Sequence, residues 1–299
     1  MRENLEYWLV VFIARVLGRM PRGLARWFAD GLAFTVYCCF GRLRRVGERN
    51  LELALPEIPA EERNRILRRV YVHLGWHLVE FCRMPRYTVE NTRDWIRTEG
   101  MERYHAAQAR GKGVLIIAGH LGVWELMSFY HSMAEQGLNM VIRPLDNRRL
   151  DEFVQGIRCQ YGNHAIHKDD FGRGLLMAMR KGETVAILMD TNMTPPQGAF
   201  VKFFGIEACT ATGLAHIARK TGAAVMPAYM LWEKDECRYV IRVGEEVQIP
   251  HTQDVAADIL AGTQLCNDVI ESWIRRYPDQ WLWIHRRWKT RPPGEPGLY

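Results

Sequence analysis

The chain has 299 residues, a formal net charge of +6, and 48% hydrophobic against 25% charged residues. That balance is ordinary for a folded globular protein and excludes a disordered chain, while the length suits one large α/β domain or two small ones. Its seven cysteines are odd in number and irregular in spacing, which argues against a disulfide framework or a zinc site and for reduced thiols.

In chain order, the first apolar run is Leu5 to Leu17, interrupted by Arg15. It falls short of the roughly 20 apolar residues of a comfortable bilayer span. No small-residue cleavage site follows it, so no cleavable signal peptide is expected. A second run, Trp27 to Phe40, is broken only by Asp30, and Pro21 stands where its helix would start. Both runs read as helices lying in or dipping into one leaflet, with arginines at the headgroups. Two amphipathic core helices, or a short single-pass anchor with Arg15 snorkelling, are the alternatives. The basic clusters Arg15 to Arg26 and Arg42 to Arg45 flank these runs, which favours an anionic membrane surface over nucleic acid as the partner of the positive charge. Residues 61–83 read as one long amphipathic helix. His73 and His77 lie a turn apart on it, but no third metal ligand suggests itself.

From Met101 the pattern alternates. Strands are predicted at 114–118, 140–143, 184–189, 223–231 and 239–247, with helices at about 123–136, 148–161, 171–181 and 211–221, and a last amphipathic helix at 255–277. Alternation at this spacing argues for an α/β fold with a mixed, mainly parallel sheet and helices on both faces. The expected division is membrane-associating helices at 1–45, the α/β domain at 46–292, and a tail without its own fold at 293–299. Sites in such sheets lie at the carboxyl ends of strands, and His120, Arg143 and Asp190 each fall just past one.

His120 is the centre of the candidate site. Val114 to Ala118 is a buried strand, Gly119 permits a sharp exit, and a helix begins at about Gly122. The bend is expected to bring Glu125, in that helix's first turn, onto His120. A carboxylate accepting a hydrogen bond from one imidazole nitrogen fixes the tautomer and leaves the other nitrogen as a general base. The bland alternative is a capped strand-to-helix turn. Arg143 and Arg158 suit phosphate, their alternative being ion pairs with Asp146, Asp151 or Glu152. Asp190 either orients Arg158 and positions a substrate or caps a strand-end turn.

These stretches carry a resemblance. Ala118-Gly-His-Leu-Gly-Val-Trp-Glu125 contains the His-x4-Asp/Glu spacing of glycerolipid acyltransferases. With Val141 to Asn147, Arg158 to Gly162, Lys181 to Asp190, Phe203-Phe-Gly205, Thr210 to Gly213, Val225-Met-Pro227 and the tail Tyr277 to Pro292, the chain resembles the late lipid A acyltransferases from about residue 5 to about residue 292. It departs from them at Asp190-Thr-Asn192, where many members carry Asp-x-Asp. The resemblance implies a glycerolipid acyltransferase-like fold at the cytoplasmic face of a bacterial inner membrane. It implies a fatty acyl thioester donor, expected on acyl carrier protein, and as acceptor a hydroxyl of a lipid A precursor or similar glycolipid. His120 and Glu125 would form the general-base dyad, and Arg143, Arg158, Asp190 and Asn192 would bind substrate, with Asn192 setting acceptor choice. Phe200, Phe203 and Phe204 would line an acyl groove or plain core, and Thr191 to Gly198 would gate the site. No nucleophilic residue, metal or organic cofactor is implied. The alternatives are another acceptor (lysophospholipid, mannolipid or aminolipid) or a non-catalytic lipid-binding membrane protein.

Overall fold

A strand buried on both faces must be apolar throughout, and Val114–Ala118 meets that demand: all five residues are buried. It is the central strand of a seven-stranded sheet in the computed structural model, which describes residues 2–167 and 171–299. The strands are β1 (Ile96–Glu99), β2 (Val114–Ala118), β3 (Asn139–Ile142), β4 (His164–His167), β5 (Thr184–Leu188), β8 (Ala224–Glu233) and β9 (Arg238–Val243), in the order β1-β9-β8-β2-β5-β3-β4. The run from β8 to β4 is parallel; β9 returns antiparallel to β8, and β1 pairs parallel to β9. The expected mixed, mainly parallel sheet is therefore what forms. A separate hairpin joins β6 (Gly198–Phe203) to β7 (Ile206–Ala211).

Helices flank the sheet: α6 (Met101–Gln108), α7 (Trp124–Ala134), α8 (Arg148–Arg158), α9 (Phe171–Arg180), α10 (Gly213–Thr221) and α11 (Val255–Arg276), all after the short α5 (Val89–Thr92). Ahead of them come α1 (Arg2–Arg19), α2 (Arg22–Cys39), α3 (Gly41–Ala54) and the 24-residue α4 (Ala60–Arg83). Pro21 caps α2, where its fixed φ costs no hydrogen bond. Phe203 and Phe204 are core residues, packed against Trp281, Trp283 and Trp288. The tail has no helix or strand after residue 292, yet it is fastened: the Tyr299 hydroxyl donates to Asn50 Oδ1 over 2.5 Å.

Among the described residues no helix is long and apolar enough to cross a membrane. The first two helices nevertheless expose large apolar side chains, among them Leu5, Trp8, Phe12, Trp27 and Phe34. Their inner faces are fixed to α4. Asp30, which interrupts the second apolar run, accepts a 2.8 Å hydrogen bond from Trp76 Nε1. Glu80, fully buried, takes Arg22 at 2.9 Å, Arg26 at 2.8 Å and the Tyr87 hydroxyl at 2.5 Å. Arg26 lies between the rings of Trp76 and Trp232, 4.4 Å from each centroid. A buried carboxylate is tolerated only with such partners.

Candidate active site

Register brings the central pair together. β2 and β5 run parallel with Ala118 opposite Leu188, so the second residue beyond each strand, His120 and Asp190, leaves the sheet side by side. Asp190 Oδ1 accepts the Nδ1–H of His120 at 2.8 Å. Its Oδ2 accepts the backbone N–H of His120 at 2.6 Å and the indole N–H of Trp281 at 2.7 Å. Gly119 makes the approach feasible, because a Cβ there would lie 3.0 Å from Asp190 Oδ2. Gly122 completes the turn at φ +66°, where a Cβ would sit 2.0 Å from the Met230 carbonyl oxygen.

Burial alone would raise the Asp190 carboxyl's pKa. The charge of His120 and the hydrogen bonds from it and from Trp281 reverse this and hold the value down at about 2. For His120, burial lowers the pKa, but the charge and hydrogen bond of Asp190, helped by Glu125, outweigh it and leave the imidazole raised. His120 Nε2 has no hydrogen-bond partner among the described residues, and the ring lines a cleft of about 340 Å³.

The hydrogen bond expected between Glu125 and His120 is not the one the fold makes. α7 starts at Trp124, so Glu125 in its first turn reaches across to α8, where Arg158 grips it with both arms of the guanidinium, Nε at 2.8 Å from Oε2. Burial would lower the Arg158 pKa, and Glu125 more than restores it. Both residues line the cleft with His120. Arg143 also lines it, at the rim; its side chain is 73% exposed and lies 3.7 Å from an almost fully exposed Asp146. Asn192 is absent from the lining, whereas its neighbour Thr191 is present. The Asn192 amide is engaged at both ends by Thr290, donating to Oγ1 at 3.0 Å and accepting the backbone N–H at 2.8 Å. Its own backbone N–H donates to His285 Nε2 at 3.0 Å.

Several contributors escaped sequence reasoning. The tail lies against the His120 turn: Leu282 N–H donates to the His120 carbonyl at 3.0 Å, and Gly122 N–H to the Gln280 carbonyl at 2.8 Å. Arg287, fully buried, donates to the carbonyls of Cys209 and Thr191 and to the Thr210 hydroxyl; burial pulls its pKa down to about 10. It thereby ties the β5 exit loop to the hairpin. His77, from α4, stacks on Trp124 with centroids 4.0 Å apart, and Trp124 in turn meets the His120 ring at 4.9 Å. Burial pushes His77 down to about 4, so it stays neutral while it braces the turn. His73 instead faces Asp279, 3.8 Å away. The density of aromatic and basic residues in Tyr277 to Pro292 was the one signal for the tail's part.

A second cavity, about 120 Å³ and mainly apolar, with Thr98, His131 and Glu135 also on its wall, opens beside the cleft, and both are walled by Met127, Ser128 and Ala186. It runs under α7 past Ile116 and Ala228 toward Leu138 and Ile241.

An imidazole held by a buried acid, an ion pair across from it and a mainly apolar chamber alongside suit transfer of an apolar group. Comparison with known proteins agrees. The family model for bacterial lipid A biosynthesis acyltransferases matches residues 1–290. The chain is 31% identical to the lipid A biosynthesis palmitoleoyltransferase of Escherichia coli (strain K12), covering 100% of this chain and 97% of that one. It is 29% identical to the lauroyltransferase of the same strain, over 98% and 94% of the two chains, and 22% identical to its myristoyltransferase, over 85% and 79%. The chain belongs to the bacterial lipid A biosynthesis acyltransferase family and is an acyltransferase.

Proposed function

We propose that the chain moves a fatty acyl group from a thioester, carried by acyl carrier protein, to a hydroxyl of a lipid A precursor at the cytoplasmic face of the inner membrane. The observation that carries this reading is His120, oriented through Nδ1 by Asp190 and left with an unpartnered Nε2 in the cleft. Nε2 takes the proton of the acceptor hydroxyl as its oxygen attacks the thioester carbonyl. Collapse of the tetrahedral intermediate expels the thiolate, which recovers the proton from His120. Asp190, already ionised, balances the imidazolium between these steps. The substrate hydroxyl thus fills the place that a serine takes in a Ser-His-Asp triad, and no acyl-enzyme forms.

Glu125 acts beside this pair. It fixes Arg158 at the cleft wall, and its charge helps hold the His120 pKa up. Arg158 faces the developing oxyanion. Arg143 is free to exchange its exposed, loosely held Asp146 for a substrate phosphate. The acyl chain runs from the cleft into the apolar chamber past Ala186. The exposed Leu, Trp and Phe side chains of α1 and α2 lie in the membrane interface.

The test is direct. The full chain in detergent is given acyl carrier protein loaded with different acyl groups, and lipid A precursor, lysophospholipid and mannolipid are offered as acceptors, with products read by mass spectrometry. A lipid A precursor heavier by one acyl group is expected, and His120→Ala should lower its rate on the order of 10²–10⁴-fold. Acylation of a different acceptor would reassign the substrate. Near-normal activity without His120 would remove the base from the mechanism.

A further inference from the structure

Behind the catalytic cleft lies a second opening with a different chemistry. A groove of about 610 Å³ runs between α1, the end of α4 with the turn after it, and α8. Arg15, Arg19 and Arg86 line it, together with Ala14, Phe153 and Ile157, and no carboxylate does. The hydrogen bonds of these arginines go to backbone carbonyls: Arg86 donates to Gly18 at 3.1 Å and Arg19 to Arg15 at 3.4 Å. Among the described residues none of the three is within ion-pair distance of an acid. Three guanidiniums over an apolar floor form an amphipathic seat, and guanidinium forks match phosphate oxygens. The seat continues the exposed apolar strip of α1, formed by Leu5, Trp8, Leu9, Phe12 and Ile13. A lipid beneath that strip would present its headgroup here.

We propose that this groove seats an anionic phospholipid of the membrane, with Arg15, Arg19 and Arg86 holding the phosphate and Phe153 and Ile157 lying against the glycerol and upper acyl carbons. The occupant is a lipid of the bilayer and not the acceptor, because α8 separates the groove from the cleft. Ile157 lines one, the next residue Arg158 lines the other, and neither His120 nor Glu125 reaches the groove. Occupancy would therefore steady α8 from behind while Arg158 works in front. This rests on the interfacial placement of α1 proposed above.

Partitioning of the full chain onto vesicles of phosphatidylcholine, with and without phosphatidylglycerol, tests it. Each arginine near an anionic surface contributes about fivefold, so the Arg15→Gln/Arg19→Gln/Arg86→Gln variant should lose about a hundredfold of the preference for anionic vesicles. Its binding to neutral vesicles and its acceptor KM in neutral micelles should not change. A charge-matched control, Arg65→Gln/Arg68→Gln/Arg69→Gln at the far end of α4, should keep the preference. If the triple variant is unstable, Arg15→Gln alone gives the same comparison on an exposed helix face. Equal losses in the control and the triple variant would reduce the effect to net charge and overturn the proposal. So would an undiminished preference, displacement by inorganic phosphate beyond that by chloride of equal ionic strength, or a raised acceptor KM in micelles. Failure of the wild type to bind neutral vesicles would instead count against the interfacial placement of α1, with the anionic arm still judging the groove.

Discussion

In the proposed mechanism His120 and Asp190 hold one proton-handling task between them, and pH separates their parts. His120 must be neutral to act as a base, and its pKa is raised. The acidic limb of kcat/KM should therefore have its midpoint above 6.5, the ordinary value. Asp190→Asn removes the charge that holds the value up and leaves burial to lower it. The midpoint should then move below 6.5, with kcat reduced, in paired pH–rate profiles. An unmoved midpoint would show that another acid governs the base. Stability follows the same pair. The attraction is fully present between about 3.8, where an unfolded Asp ionises, and 6.5, where an unfolded His loses its charge. It fades as pH falls toward about 2 and as pH rises through the raised His120 value. A drop from 3.8 to about 2 corresponds to about 2 kcal/mol. Asn192 illustrates a different residue-scale point. Thr290 engages its amide, so the influence on acceptor choice expected of it would pass through the position of Thr191. Asn192→Asp can accept both the N–H and the hydroxyl of Thr290 and should keep the wild-type acceptor ratios. Asn192→Ala frees the loop and should shift those ratios by about 1 kcal/mol, the scale of one hydrogen bond. Equal behaviour of the two variants in a competition assay would end that account.

At the scale of elements, the sequence announced what burial dictates and hid what pairing dictates. Val114–Ala118 and Thr184–Leu188 were readable because both are short apolar runs between turn residues. β1 and β4 were not, since Ile96–Glu99 and His164–His167 are four-residue strands of mixed polarity at opposite edges of the sheet. The β6–β7 hairpin was missed because Phe200, Phe203 and Phe204 read as acyl-groove or plain core residues and not as strand positions. Most costly was register. Nothing in either strand states that Ala118 pairs with Leu188, and without that pairing Glu125, close in sequence, is the natural partner for His120. β8 shows the reverse: its length and apolarity made it readable in spite of Pro227, which stands where the pairing with β2 ends and just before the pairing with β9 begins. A prediction belongs here too. Ala186 on β5 walls both the cleft and the chamber. Ala186→Leu should close the passage and slow long-chain donors far more than short ones, without loss of fold. An unchanged chain-length profile would place the acyl chain elsewhere.

For the whole molecule, the N-terminal helices and the α/β body share polar contacts that neither can drop. Arg22 and Arg26 on α2 neutralise Glu80 on α4. Deleting residues 1–40 would leave that carboxylate buried and unpaired, a loss of about 3–5 kcal/mol. The truncated protein is expected to aggregate and not to appear as a soluble enzyme. Replacing the exposed Trp8, Phe12 and Trp27 with serine is the cleaner experiment: it should weaken membrane binding with the melting temperature preserved, as flotation and thermal denaturation would show. A large drop in melting temperature would mean that these side chains pack inward.

The indole of Trp281 completes the cradle of Asp190 from 91 positions further along the chain. During synthesis, α1 and α2 emerge before His120 and Asp190, and the acid lacks this donor until Trp281 has left the ribosome. With α1 and α2 in the membrane interface as proposed, a growing chain would meet the lipid surface well before the proposed base is set. The order of translation would then keep the proposed acyl-transferring centre silent while the nascent protein is still finding its seat.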